Sequence, residues 1–216
     1  MACAICETRK EKRFCPATHG RICPVCCGTE REVSLDCPLD CPYLLEARKH
    51  EPPREVEEIL DHESLFPQVE LQRELVYNRE PLLAGLSYTL AQATRRDREL
   101  RDRDLTAALT ALAKSYETLA GSGLVVENRT ANPVQQGLVE ELQKMIAGYR
   151  DLEKQQMGYS GLKDSELLQV LVFLVRLALA RANGRPRSRS FISFLQAQFA
   201  DKGDIKAEEP SKLILP

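Results

Sequence analysis

The sequence predicts a mainly α-helical chain headed by a small module of a different kind. Two observations predict this. All eight cysteines of the 216-residue chain fall within its first 41 residues. Beyond Pro81, apolar residues recur at three- and four-residue steps, the spacing of one helix face. The hydrophobic fraction of 43% is ordinary for a chain of one or two domains.

The head comes first. Cys3/Cys6 and Cys23/Cys26 have Cys-x2-Cys spacing, Cys37/Cys41 is Cys-x3-Cys, and Cys15/His19 is Cys-x3-His. A short loop closed by two thiolates presents both sulfurs to one tetrahedral ion, so such pairs are half-sites for zinc. Four pairs in alternation predict two crossed sites. One is Cys3, Cys6, Cys23 and Cys26; the other is Cys15, His19, Cys37 and Cys41. Cys27 is left over, as an alternative to His19.

Segment 1–41 has few large apolar residues: Ile5, Phe14, Ile22, Val25, Val33, Leu35 and Leu39. A unit this small cannot hold itself together on that burial. A structural zinc supplies on the order of 10 kcal/mol. Every position in both sites is a protein ligand, which predicts structural rather than catalytic zinc. A disulfide framework and a single zinc with spare thiols are the competing readings. Met1-Ala2-Cys3 is followed by charged residues rather than an apolar leader, which predicts a cytoplasmic, reducing location.

The ladder resembles the B-box zinc finger and, more loosely, the cross-brace group that includes RING and MYND fingers. It departs from the B-box in ending on cysteines rather than histidines, and in its longer gap from Cys26 to Cys37. The whole chain also resembles a group of bacterial proteins with a Cys-rich head and a helical body, which implies no function. The predicted fold is mainly α. A zinc-binding, cross-brace-like module spans 1–50, an acidic hinge with one short helix spans 51–80, an all-α helical bundle spans 81–200, and a disordered tail spans 201–216.

Each element has its own signal. Pro42 fits the first turn of a short helix that Pro52-Pro53 ends. In the hinge, nine carboxylates face three arginines, Val56, Ile59 and Leu60 have helical spacing, and Ser64 to Pro67 reads as a turn. Pro81 opens a helix with Leu82, Leu86, Leu90 and Ala93 on one face. Arg95 to Asp104 interleaves five arginines with four acids, which reads as a solvated helix surface with local ion pairs. Leu105, Ala108, Leu109, Leu112, Tyr116 and Leu119 make the next face, ended at Gly121-Ser122-Gly123. Leu124 to Glu127 is the one candidate strand. Leu138, Leu142, Met145, Tyr149 and Leu152, with Val139 and Ile146 beside them, form a bundle seam of about two heptads. Asp164 or Ser165 caps a helix apolar on nearly every side, predicted to be central. Asn183-Gly184 stops it. Ser190 caps a last helix with Phe191, Ile192, Phe194, Leu195 and Phe199 facing in.

Function is less legible. A net charge of −2, falling to about −5 with seven ionised thiols and two Zn²⁺, disfavours general polyanion binding. The apolar run Leu167–Ala180 is interrupted by Gln169 and Arg176, and it is shorter than the roughly 20 residues a membrane span needs. Arg185, Arg187 and Arg189 lie in an acid-free loop beside a helix start, a candidate anion site; the alternative is that they pair with the acidic hinge. No nucleophile elbow, phosphate loop or dinucleotide fingerprint occurs. The reading is a non-enzymatic zinc-binding adaptor or regulator with a protein partner. The alternatives are nucleic-acid binding through the head and the arginine loop, or redox sensing with Cys26 and Cys27 as the labile pair.

Overall fold

A computed structural model describes residues 1–50 and 66–199. The proposed short helix around Val56–Leu60 and the tail 201–216 lie outside the described residues.

The body is built from α3 (Arg73–Asn78), α4 (Glu80–Arg96), α5 (Asp102–Ser122), α6 (Pro133–Met157), α7 (Asp164–Arg181) and α8 (Ser190–Gln198). Local chemistry sets several ends. Asn132 accepts the Val134 N–H at 2.9 Å and Pro133 takes the first helical position of α6. Gly123 and Gly158 close α5 and α6 with φ of 73° and 82°, the left-handed conformation that favours glycine.

α5 and α7 form the main helix pair, with α4 packed on α6, α6 also on α5, and α8 against α4 and α7. α7 is the central helix its composition predicts. Leu167, Leu168, Val170, Leu171, Val172, Leu174 and Val175 are all buried in one core with α4, α5, α6 and α8. Even Arg176 is buried, donating to the carbonyls of Phe66 and Val69 at 3.1 Å. The α6 seam buries Leu138, Val139, Leu142 and Ile146 but ends before Leu152, which is 56% exposed.

Two expectations are corrected. Residues 124–127 form no strand; Leu124, Val125 and Val126 lie exposed in the α5–α6 connection, with no strand edge beside them among the described residues. The strands are instead in the head, where β1 (Arg13–Cys15) pairs antiparallel with β2 (Gly20–Ile22). The run from Arg95 to Asp104 is not a solvated helix surface either. α4 stops at Arg96, and Arg101, Asp102 and Asp104 are buried. Asp102 accepts from Ser188 Oγ at 2.5 Å and from the Phe191 and Ile192 N–H groups at 3.2 and 3.0 Å, so it satisfies the start of α8. Burial lifts its carboxyl above the usual range, while Ser188 and those N–H groups pull it back.

A second buried carboxylate ties three segments together. Glu153 of α6 accepts Arg79 Nη1 at 2.9 Å, Ser160 Oγ at 2.8 Å and the Leu162 N–H at 3.0 Å, and Arg79 also reaches Glu166 at 2.6 Å. Burial opposes ionisation, but these donors hold Glu153 below its ordinary range. A depressed carboxylate stabilises the fold above its unfolded-chain value and loses that contribution as pH falls through the folded value. Glu153→Gln is expected to cost about 1.5–3 kcal/mol at pH 7. In urea unfolding the gap from wild type should narrow below about pH 4, near the reference glutamate value. A gap unchanged from pH 7 to the acid limit would refute this assignment.

The head adds α1 (Pro24–Glu30) and α2 (Pro42–Lys49) to the β1–β2 hairpin. It is bolted to the body by buried charge. Glu32, 1% exposed, accepts Asn183 Nδ2 at 2.7 Å, Arg48 Nη2 at 3.0 Å and the Arg189 N–H at 3.1 Å. Its carbonyl accepts the Arg187 N–H at 2.9 Å. Asp36 takes Arg101 at 2.7 Å and Arg189 at 3.5 Å.

Candidate metal centre

The head's core is mostly sulfur. Its buried cluster contains seven cysteines and only three aliphatic side chains, Ile22, Leu35 and Leu44. At about 2 kcal/mol for each fully buried aliphatic side chain, apolar burial cannot order a unit of this length by itself.

Cys3, Cys6, Cys23 and Cys26 offer sulfurs that all lie within 4.8 Å of one another, and among the described residues they are the group that meets this condition. These are the four cysteines the crossed wiring assigns to the first site. Two short structures bring them together. The Cys3–Cys6 loop is pinned by the Cys3 N–H on the Arg9 carbonyl at 2.8 Å and the Glu7 N–H on the Cys3 carbonyl at 2.9 Å. Cys23 and Cys26 sit at the start of α1, where Pro24 takes the first helical position and the Cys23 sulfur caps the helix by accepting the Cys26 N–H at 3.4 Å. The Cys23 N–H donates to Cys3 Sγ at 3.1 Å.

N–H groups aimed at sulfur favour the thiolate, the form that ligates metal. The Thr8 hydroxyl, with the Arg9 and Thr8 N–H groups, draws Cys6 down to about 5. Cys3 is buried, which opposes ionisation, but the N–H groups of Cys6, Cys23 and Ile5 bring it down. Burial and its three sulfur neighbours push Cys26 up to about 12. Four thiols this close cannot all ionise cheaply without a cation between them. A tetrathiolate of this kind suits zinc, and it leaves no coordination position for water.

The remaining cysteines line a pocket of their own. Cys15 ends β1, Cys27 follows Cys26 on α1, and Cys37 and Cys41 flank the turn into α2; all four are buried. Successive residues on a helix point about 100° apart, so Cys26 and Cys27 face different clusters. Burial pushes the Cys37 thiol up; the Glu32 N–H pulls it down, and Cys41 and Cys15 push it further up. His19 is exposed in the β1–β2 turn, with φ of 50°.

The three loop arginines divide. Arg189 is buried, donating to the Arg98 and Leu100 carbonyls. Arg185 donates to the Arg31 carbonyl at 2.6 Å. Arg187 has an exposed side chain. Arg185 and Arg189 engage the head, a role that sequence reasoning missed, and most of the acidic hinge, 51–65, lies outside the described residues. A groove of about 720 Å³ lies nearby, lined by Arg103, Lys114, Arg129 and Arg185 over an apolar floor that includes Ala107 and Leu179.

No family model, no curated relative and no solved structure matches the chain. The B-box resemblance therefore rests on cysteine spacing alone. Among the described residues no helix is long and apolar enough to cross a membrane.

Proposed function

We propose that this chain is a non-enzymatic, metal-dependent interaction protein. Two structural zinc ions order the head, and the helical body carries it to a protein partner. The observation behind this reading is the convergence of Cys3, Cys6, Cys23 and Cys26 on one point, with protein donors for every position. A closed site of this type organises a surface rather than activating water. The head exposes Phe14 and Val25, large apolar side chains on a unit with very little apolar filling of its own. Exposed apolar groups beside a metal-ordered scaffold suit protein recognition.

The full-length protein is the right bait, because the junction at Glu32 makes head and body one packed unit. Capture from the parent cell is expected to enrich a specific protein. The Phe14→Ser/Val25→Ser double variant should lose it while keeping its zinc content. An unchanged capture profile with the double variant counts against the reading.

The groove lined by Arg103, Lys114, Arg129 and Arg185 favours a second reading, a phosphate-bearing partner such as nucleic acid. In that case the captured material is nucleic acid, and log K falls linearly with log salt.

A further inference from the structure

We propose that Cys15, Cys27, Cys37 and Cys41 form a second metal site, with Cys27 in the place that Cys-x3-His spacing gives to His19. The proposal rests on the reading of the head as metal-dependent, but it concerns a separate set of sulfurs.

All four thiols are buried and line one cavity of about 10 Å³, walled otherwise by groups such as Ile22, Leu35 and Leu44. A water needs about 10–15 Å³ of such space and two to four polar partners, so the cavity suits a bare ion better than solvent. Cys41 caps α2 without a side-chain hydrogen bond, so the helix makes no claim on its sulfur. Cys27 Sγ lies 3.7 Å from Arg13 Nη1 and 3.9 Å from Arg31 Nη2. Arg13 is itself held, stacked 4.6 Å over the Tyr43 ring.

Buried cysteines are often no more than small apolar residues. Here that account fails on numbers, since seven of them supply most of the core of one short module. Zn–S bonds of about 2.3 Å place tetrahedral sulfurs about 3.8 Å apart. The second set is more open than the first, so ion binding draws it inward. His19 stays outside, because the hairpin turn holds it at the surface. The two sites then share α1, Cys23 and Cys26 serving one and Cys27 the other. A ligand set of four thiolates selects zinc or a comparably soft ion.

The test uses full-length protein loaded with zinc, then with cadmium. Native mass spectrometry is expected to count two ions in wild type, two in His19→Ala and one in Cys27→Ala. Cadmium-113 NMR of wild type and His19→Ala should give two resonances, both in the all-sulfur range. These two proteins decide the matter even if Cys27→Ala fails to fold. One ion in wild type overturns the second site and leaves the first standing. Loss of an ion from His19→Ala, or a nitrogen-shifted resonance in wild type, overturns the assignment to Cys27. Protein that binds no ion at all overturns the reading of the head itself.

Discussion

Cys23→Ser protein is expected to lose the metal of the first site and, with it, the order of the head. Cys23 is nearly inaccessible and works three ways. Its sulfur is one of four that converge, it caps α1, and its N–H supports Cys3 Sγ. Serine can keep a weak cap but offers zinc a far poorer ligand. Structural zinc contributes on the order of 10 kcal/mol to folding. Three aliphatic side chains at about 2 kcal/mol each cannot replace it. The zinc content should drop by at least one ion per chain. Thiol-reactive reagents should then modify head cysteines that the wild-type protein protects, and proteolysis should cut first within residues 1–50. Wild-type protein stripped by a strong chelator should behave alike. Because every cysteine lies in the head, thiol labelling reports on that module alone. Should chelated wild-type protein keep its thiols protected and its head uncut, metal is not what orders it.

The helices were legible because their chemistry is periodic. Leu82, Leu86 and Leu90 repeat at four-residue steps, and all three are buried on α4. α7 lacks a polar face, and it is central for that reason. The first cysteine set was legible because paired thiolates on tight loops have few other uses. What stayed hidden was polar and long-range. In the run from Arg95 to Asp104 the charges nearly cancel, and cancellation looks the same whether the partners are solvated neighbours or buried groups far along the chain. Arg101 finds Asp36, 65 residues away, and Asp102 finds Ser188, 86 residues away. Nothing local announces either pairing. His19 is a different case. Its spacing from Cys15 fits a ligand pair, while the intervening residues turn a hairpin that places it exposed at the surface. Cys27 had only its adjacency to Cys26 to recommend it, and it takes helical geometry to see that neighbours on α1 point in different directions.

Glu32→Ala is expected to be the most damaging substitution away from the cysteines. Glu32 is a carboxylate with almost no access to water, placed between the last turn of α1 and Cys37. Arg48, Asn183 and the Arg189 N–H all donate to it. Alanine leaves those donors buried without an acceptor. Removing one partner of a buried charged network costs about 3–5 kcal/mol, more than the pairing itself is worth, because the stranded groups stay desolvated. In a chain of this size each kcal/mol moves Tm by about 2–4 °C, so a fall of roughly 10 °C is the scale to look for. Glu32→Gln should lie between the two, since it keeps an acceptor oxygen but surrenders the charge facing Arg48. Hydrogen exchange distinguishes a broken junction from general weakening. Amides at 185–192 and 98–102 should exchange faster in Glu32→Ala, while those of the α5–α7 pair keep their protection relative to global stability. If both regions accelerate together, or neither does, the carboxylate is not the bolt between head and body. The zinc content matters equally. The Glu32 N–H supports Cys37, so a backbone released at residue 32 should also weaken ion binding at the proposed second site, whereas the Cys3, Cys6, Cys23 and Cys26 set, held by its own turns, should keep its binding capacity.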